Sequence, residues 1–145
     1  MTQLLNLQPA AAATLQKWHE MMAKLDLSDL PLIVHPEVTF RSPLAFNPYA
    51  SVEAMVMALQ TVVTVFSDFS YHREAATDDG LSVVLEFSAK IAGKGVKGAD
   101  LIRFDTEGRI VDFEVMVRPL NGLIALSEEM GKRMGDRMPS YKAKA

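Results

Sequence analysis

The chain has no cysteine and three histidines, His19, His35 and His72. Its means of moving protons or gripping a ligand are therefore carboxylate, hydroxyl, indole and imidazole. Thiol catalysis, iron–sulfur clusters and cysteine-ligated zinc are excluded. The histidines show neither H-x-x-x-H nor H-E-x-x-H spacing, so neither a metal site nor any cofactor is expected. Asp100 is the most informative residue. In GADLIRF it alternates onto the same face as Ile102 and Phe104, and that apolar face should point inward. An isolated carboxylate in an apolar interior carries an idealised cost of order 20 kcal/mol, reduced to several after relaxation. Protonating it at pH 7 costs only about 4 kcal/mol. A neutral acid, or a carboxylate with a hydrogen-bonded partner such as backbone or Trp18, is the expectation. A ligand-facing Asp100 and a purely structural one both remain open.

Around Asp100 the sequence offers few other polar groups. Ser42 precedes Pro43 on a short strand; it is expected either to point into a cavity, turning Arg41 away, or to make a local turn bond. Trp18, Tyr49 and Tyr71 carry polar tips on apolar bodies and are candidate lining residues. Phe87, Ile102, Phe113, Val115 and Val117 are the candidate apolar walls. Asp100 is the candidate catalytic residue, with His35 as a conceivable partner base if the fold brings the two within reach. Gly93, Gly95 and Gly98 satisfy G-x-G-x-x-G. A dinucleotide site needs a helix after that motif, and here a strand follows, so the glycines read as a hairpin and a bulge.

Those side chains need elements to hold them. Pro9 opens a helix in which Leu15, Trp18, Met22 and Leu25 form one apolar stripe ending near Asp26. A brief strand is predicted at Val38 to Arg41, between Pro36 and Pro43, with His35 in the loop before it. Ser51 caps a second helix carrying Met55, Leu59, Val62 and Phe66 on one face, with Glu53 in its first turn. From Phe69 the period becomes two: Val83, Leu85, Phe87, Ala89 and Ile91 alternate with mostly polar neighbours, and Val111, Phe113, Val115 and Val117 do the same. Turns at Asp78 to Gly80, Gly93 to Gly95 and Asp105 to Gly108 link four strands as a meander. Pro119 ends the last strand, and a closing helix is predicted from about Leu120 to Met134.

Helices followed by a meander make an α+β domain, and 145 residues with 49% hydrophobic side chains suit one domain, 1–145. A net charge of −3 argues against nucleic-acid binding. No stretch is long and apolar enough to suggest a membrane span, and the N-terminal apolar residues have no basic region ahead of them, so no signal peptide is expected. A soluble cytoplasmic protein is the expectation. The nine methionines suit a pliable pocket or an ordinary core equally. On the outer sheet face Val84, Glu86, Leu101, Arg103, Glu114, Met116 and Arg118 mix apolar and opposite charges, as a homodimer surface would.

The order of elements, with HPEVTFRSP, GADLIRFDTEGRIVDF and VMVRPLNGL, resembles the SnoaL-like branch of the superfamily of nuclear transport factor 2 and ketosteroid isomerase. The resemblance runs from Trp18 to about Leu126. It implies a cone-shaped, barrel-like fold: a curved antiparallel sheet wrapped around the N-terminal helices over an internal pocket, plus a C-terminal helix, in a homodimer. In the isomerase branch an aspartate ahead of an Asp/Asn-x-x-Gly turn donates to the developing enolate, and Asp100 matches it. The branch's general base is an aspartate before a proline, where this chain has Ser42. Its helix tyrosine, the second donor, falls at Trp18. A hydroxyl without a base cannot abstract a carbon-bound proton, so steroid isomerisation by those three residues is not expected.

Three kinds of function remain. One is binding of a small apolar or cyclic ligand in an internal pocket with Asp100 as anchor, extending to acid-assisted isomerase or cyclase chemistry. Another is a non-catalytic homodimerisation module whose cavity its own side chains fill. A hydrolase using Asp100 with His35 is a third. Free space of roughly 300 Å³ or more beside Asp100 would favour the first, a solid core the second.

Overall fold

The computed structural model describes residues 5–135. Helix α1 spans Pro9–Lys24, with proline in its first turn, and buries Ala11, Leu15, Trp18, Met21 and Met22 along one face. A 3-10 turn at Leu30–Ile33 leads into β1, Val34–Arg41. Helix α2, Val52–Val65, starts at Ser51, whose hydroxyl accepts the Ala54 N–H. Four strands follow: β2 Ser67–Ala76, β3 Ser82–Ile91, β4 Lys94–Phe104 and β5 Ile110–Arg118. Helix α3, Leu120–Met134, closes the described chain.

The strands form one sheet in the order β1-β5-β4-β3-β2. The chain is the α+β cone expected, with two refinements. The sheet is mixed, because β1 lies parallel to β5 while the other neighbours are antiparallel. It is also open, with β1 and β2 as its edge strands, β1 being covered locally by a backbone bridge from Phe40 to Tyr49. Strand β1 begins four residues earlier than the sequence suggests and takes in His35 and Pro36. Proline lacks a backbone donor and sits comfortably only at an edge or irregularity; β1 is an edge strand, and its register slips between Val34 and Thr39, where Pro36 lies.

Alternation puts Val83, Leu85, Phe87, Ile102, Phe104 and Phe113 on the inner face, each at 2% exposure or less. All but Phe87 pack against the buried faces of α1 and α2 in one large cluster, and Phe87 packs against the rings of Phe66, Phe69 and Tyr71. A smaller cluster of Val65, Ala89, Ile91, Val96, Ala125 and Leu126 lies under α3. The β4–β5 turn seats α1. A Cβ on Gly108, which has φ of +84°, would lie 2.5 Å from the Ala10 carbonyl oxygen, and Thr14 Oγ1 donates to the Gly108 carbonyl at 2.6 Å. That seat fixes the height at which Trp18 meets the sheet, edge-on to Phe113 with 5.1 Å between ring centroids.

Candidate functional site

Three elements converge on Asp100. Helix α1 brings Trp18, β2 brings Tyr71 and β4 brings Asp100 itself, which pairs with Leu85 on one side and Val115 on the other. Trp18 Nε1 donates to the Tyr71 hydroxyl at 2.9 Å, and that hydroxyl donates to Asp100 Oδ2 at 2.7 Å. The indole expected beside Asp100 thus reaches it through a phenol. Asp100 is only 5% exposed. Burial raises its pKa to about 7, with the Tyr71 hydrogen bond opposing that rise. Burial also pushes the Tyr71 phenol well above its ordinary value, and the Asp100 charge pushes the same way. Tyr71 therefore stays a neutral donor.

The second carboxyl oxygen has a different fate. Among the described residues no hydrogen bond reaches Asp100 Oδ1, and no fully buried side-chain oxygen lacks a partner. Oδ1 accordingly opens onto the recess that Asp100 lines. The recess is apolar. Its walls are Trp18, Met22 and Leu27 from the α1 side, Phe40 of β1, Phe69 of β2, Phe87 of β3, and Val115 and Val117 of β5. Ala58, Leu59, Val62, Val63 and Phe66 of α2 with Leu126 and Met130 of α3 close one side, and Ser42, Pro43 and Leu44 form part of the rim. Phe87 stacks on Phe69 at 5.1 Å, and Gly98 leaves room for its ring, since a Cβ there would lie 2.4 Å from Phe87 Cζ. Free space amounts to about 50 Å³, and the whole recess with its mouth and packing gaps to about 580 Å³. The first figure holds a few waters and falls below the roughly 300 Å³ of a preformed ligand pocket.

Of the lining residues named from sequence, Trp18, Ser42, Phe87, Val115 and Val117 border the recess with Asp100. Tyr71 stands behind Asp100 as its hydrogen-bond donor. Tyr49 is buried against Phe40, their rings 6.3 Å apart, and Ile102 and Phe113 are core. Ser42 Oγ accepts the Leu44 N–H at 3.0 Å, so it makes its turn bond and borders the recess as well. Arg41 turns away to Asp112 at 3.1 Å. His35 accepts the Glu37 N–H on Nδ1 at 2.9 Å and is not part of the recess wall, which leaves the Asp100–His35 pair without structural support. His19 meets Glu74 at 3.1 Å and the Tyr71 ring edge at 5.1 Å. His72 meets Ser88. The contributions of α2 and α3 were not singled out from sequence, because their apolar stripes look the same whether they face a recess or solid core.

An open curved sheet over helices, with a carboxyl at the base of an apolar recess, defines the cone class that includes nuclear transport factor 2-like proteins. The SnoaL-like domain profile matches residues 15–113, and the chain belongs to that family. A steroid delta-isomerase from Pseudomonas aeruginosa is 56% identical, with a TM-score of 0.90 over 94% of this chain and 99% of that one. An uncharacterised protein with a cystatin-like fold from Silicibacter pomeroyi is 31% identical, with a TM-score of 0.80 over 88% of this chain and 91% of the other. The epoxide hydrolase/cyclase-like enzyme SalBIII of salinomycin pyran-ring formation is 16% identical, with a TM-score of 0.63 over 77% and 92% of the two chains, a likeness of fold alone. No curated protein sequence matches.

Proposed function

We propose that the recess binds a small apolar or cyclic molecule carrying one polar group, with Asp100 as its anchor. The observation that carries this reading is the split carboxyl: Oδ2 is held by the Trp18–Tyr71 chain while Oδ1 faces an otherwise apolar space. With a pKa of about 7, Asp100 donates when protonated and accepts when ionised, and isomerase or cyclase chemistry draws on either state. The steroid delta-isomerase relative supports a flat cyclic ligand. Seating one requires the rim to yield, and Leu44, Val62, Val63, Phe66 and Met130 there are all less than fully buried.

Trp18 is the sole tryptophan, so its fluorescence reports on the site. Titration with androst-4-ene-3,17-dione and with a bicyclic decalone should give saturable quenching, weakened in Asp100→Asn. Mass spectrometry of the freshly purified protein should find a co-purified small molecule. No quenching by either compound and nothing co-purified would overturn the reading.

The 50 Å³ of free space favours the rival, a non-catalytic module with a filled cavity, and the same two measurements decide between them. We also propose a homodimer through the outer sheet face. Met116 there is 50% and Val84 38% exposed, ringed by the Arg73–Glu86 and Lys97–Glu86 ion pairs. Met116→Asp should convert a dimer to monomer in sedimentation; a protein monomeric throughout would refute the dimer.

A further inference from the structure

Every hydrogen-bond donor that borders Asp100 is already committed. The Trp18 N–H goes to Tyr71, and the Tyr71 proton to Asp100 Oδ2. The base of the recess therefore offers a ligand one polar atom with spare capacity, Asp100 Oδ1, and on an ionised Asp100 that atom is purely an acceptor. No lysine, arginine or histidine among the described residues lines the recess. The buried carboxylate thus has a hydrogen-bond donor but no counter-ion, a costly state in apolar surroundings. Around it stand the rings of Trp18, Phe40, Phe66, Phe69 and Phe87, and aromatic rings attract cations.

We infer that the polar group of the ligand is a tertiary ammonium, whose single N–H donates to Asp100 Oδ1 while its three carbon substituents meet the aromatic and aliphatic walls. The inference rests on the ligand-binding reading above and names the class of ligand. Donor number decides that class. A primary ammonium has three N–H groups and a secondary one has two, and each beyond the first would be buried without an acceptor. A quaternary ammonium carries the charge but no donor. A ketone only accepts and so needs Asp100 protonated, and an alcohol supplies one donor without the missing charge. Tyr71 is the titratable side chain in contact with Asp100, and it stays neutral because burial holds its pKa well up. Glu74 pairs with His19 beside the Tyr71 ring, and the other elements that wall the recess bring no titratable side chain to it. Ammonium binding therefore selects the ionised form of Asp100. Below its pKa of about 7, each amine bound sends the Asp100 proton into solvent.

The test compares N-methyldecahydroquinoline with a decalone of the same bicyclic frame, by Trp18 fluorescence and by titration calorimetry in buffers of differing ionisation enthalpy. The amine stays protonated throughout the range used. Its Kd should fall about 30-fold from pH 5.5 to 8.5 as Asp100 ionises, with about one proton released per amine at the lower pH and almost none at the higher. Decalone should bind more weakly as pH rises. At pH 8.5 the secondary amine decahydroquinoline should bind about 5-fold more weakly or worse, and the N,N-dimethyl quaternary salt about 10-fold or worse. Asp100→Asn, with circular dichroism unchanged, should weaken the tertiary amine about 30-fold or more and abolish proton release. Decalone, to which the asparagine amide can still donate, should lose less. Amine affinity that is flat or falls with pH, a secondary or quaternary ammonium that binds as tightly, or amine binding that survives Asp100→Asn overturns the inference. Binding of decalone without the amine overturns it and leaves the ligand-binding reading standing. Binding of neither overturns it as well, and that reading is then decided by the steroid titration and the search for a co-purified molecule.

Discussion

Asp100→Asn tests the central claim about the site without any ligand. The folded protein holds the Asp100 proton to about pH 7, against an ordinary value of 3.8. Between those two values the native state therefore binds more protons than the unfolded chain, and stability falls as pH rises. The stabilisation is complete below about pH 4, is lost progressively up to about 7, and is absent above. At 1.36 kcal/mol per pKa unit, the interval from 3.8 to about 7 is worth about 4 kcal/mol. An asparagine at this position keeps an oxygen to accept the Tyr71 proton and has no charge to bury. The variant and the parent should accordingly be similar near pH 4, and the variant should be the more stable by about 4 kcal/mol near pH 8. In a chain of this length that is a melting difference of roughly 8–16 °C. Urea unfolding of both proteins at half-unit steps from pH 4 to 8.5 gives the difference curve, in which every other titrating group cancels. Asp79, exposed, and Glu86, half-buried, each lowered to about 2 by hydrogen bonds led by Thr77 and Arg73 respectively, act with opposite sign below pH 4, outside this window. Parallel stability curves for the two proteins would refute the buried, desolvated carboxyl on which the site reading stands.

Tyr71→Phe removes the donor that holds the Asp100 pKa down and strands the Trp18 N–H. It should move the pH window upward and cost about 1–3 kcal/mol, both visible in the same urea series. Gly98→Ala places a Cβ 2.3 Å from the Met116 carbonyl oxygen and 2.4 Å from Phe87 Cζ, and should lower stability by about 1–3 kcal/mol through overpacking, measured by thermal melting. Ser51→Ala deletes the hydroxyl that accepts the Ala54 N–H and should cost about 1 kcal/mol in urea unfolding, with the pH window of Asp100 unmoved.

Elements whose signal is local were legible in the sequence. The Leu15, Trp18, Met22 stripe, the Ser51 cap and the strict alternation in β3 and β5 each depend on neighbours within a turn or two. The inward direction of Asp100 followed from the same alternation. The parallel seat of β1 beside β5 was not legible, because the sequence spacing of a strand does not say whether its partner runs with it or against it. Tyr71 was one aromatic among three. Its role is set by partners 29 and 53 positions away, and β2, an edge strand, alternates too weakly to mark it out. The size of the recess depends on how Val62, Val63 and Met130 settle against Phe69 and Phe87, a matter of packing on which composition is silent.

The seat that the β4–β5 turn gives to α1 bears on how the molecule comes together in time. Thr14 and Gly108, joined by a hydrogen bond, lie 94 positions apart, so the first helix finds its place only after nearly the whole meander has been made. The Trp18–Tyr71 hydrogen bond, which spans 53 positions, depends on the docking of α1, so Trp18 emission during refolding should lag behind the appearance of sheet. The same non-local closure puts α1 among the late-docking parts of the chain and argues for folding slower than a helical bundle of equal length.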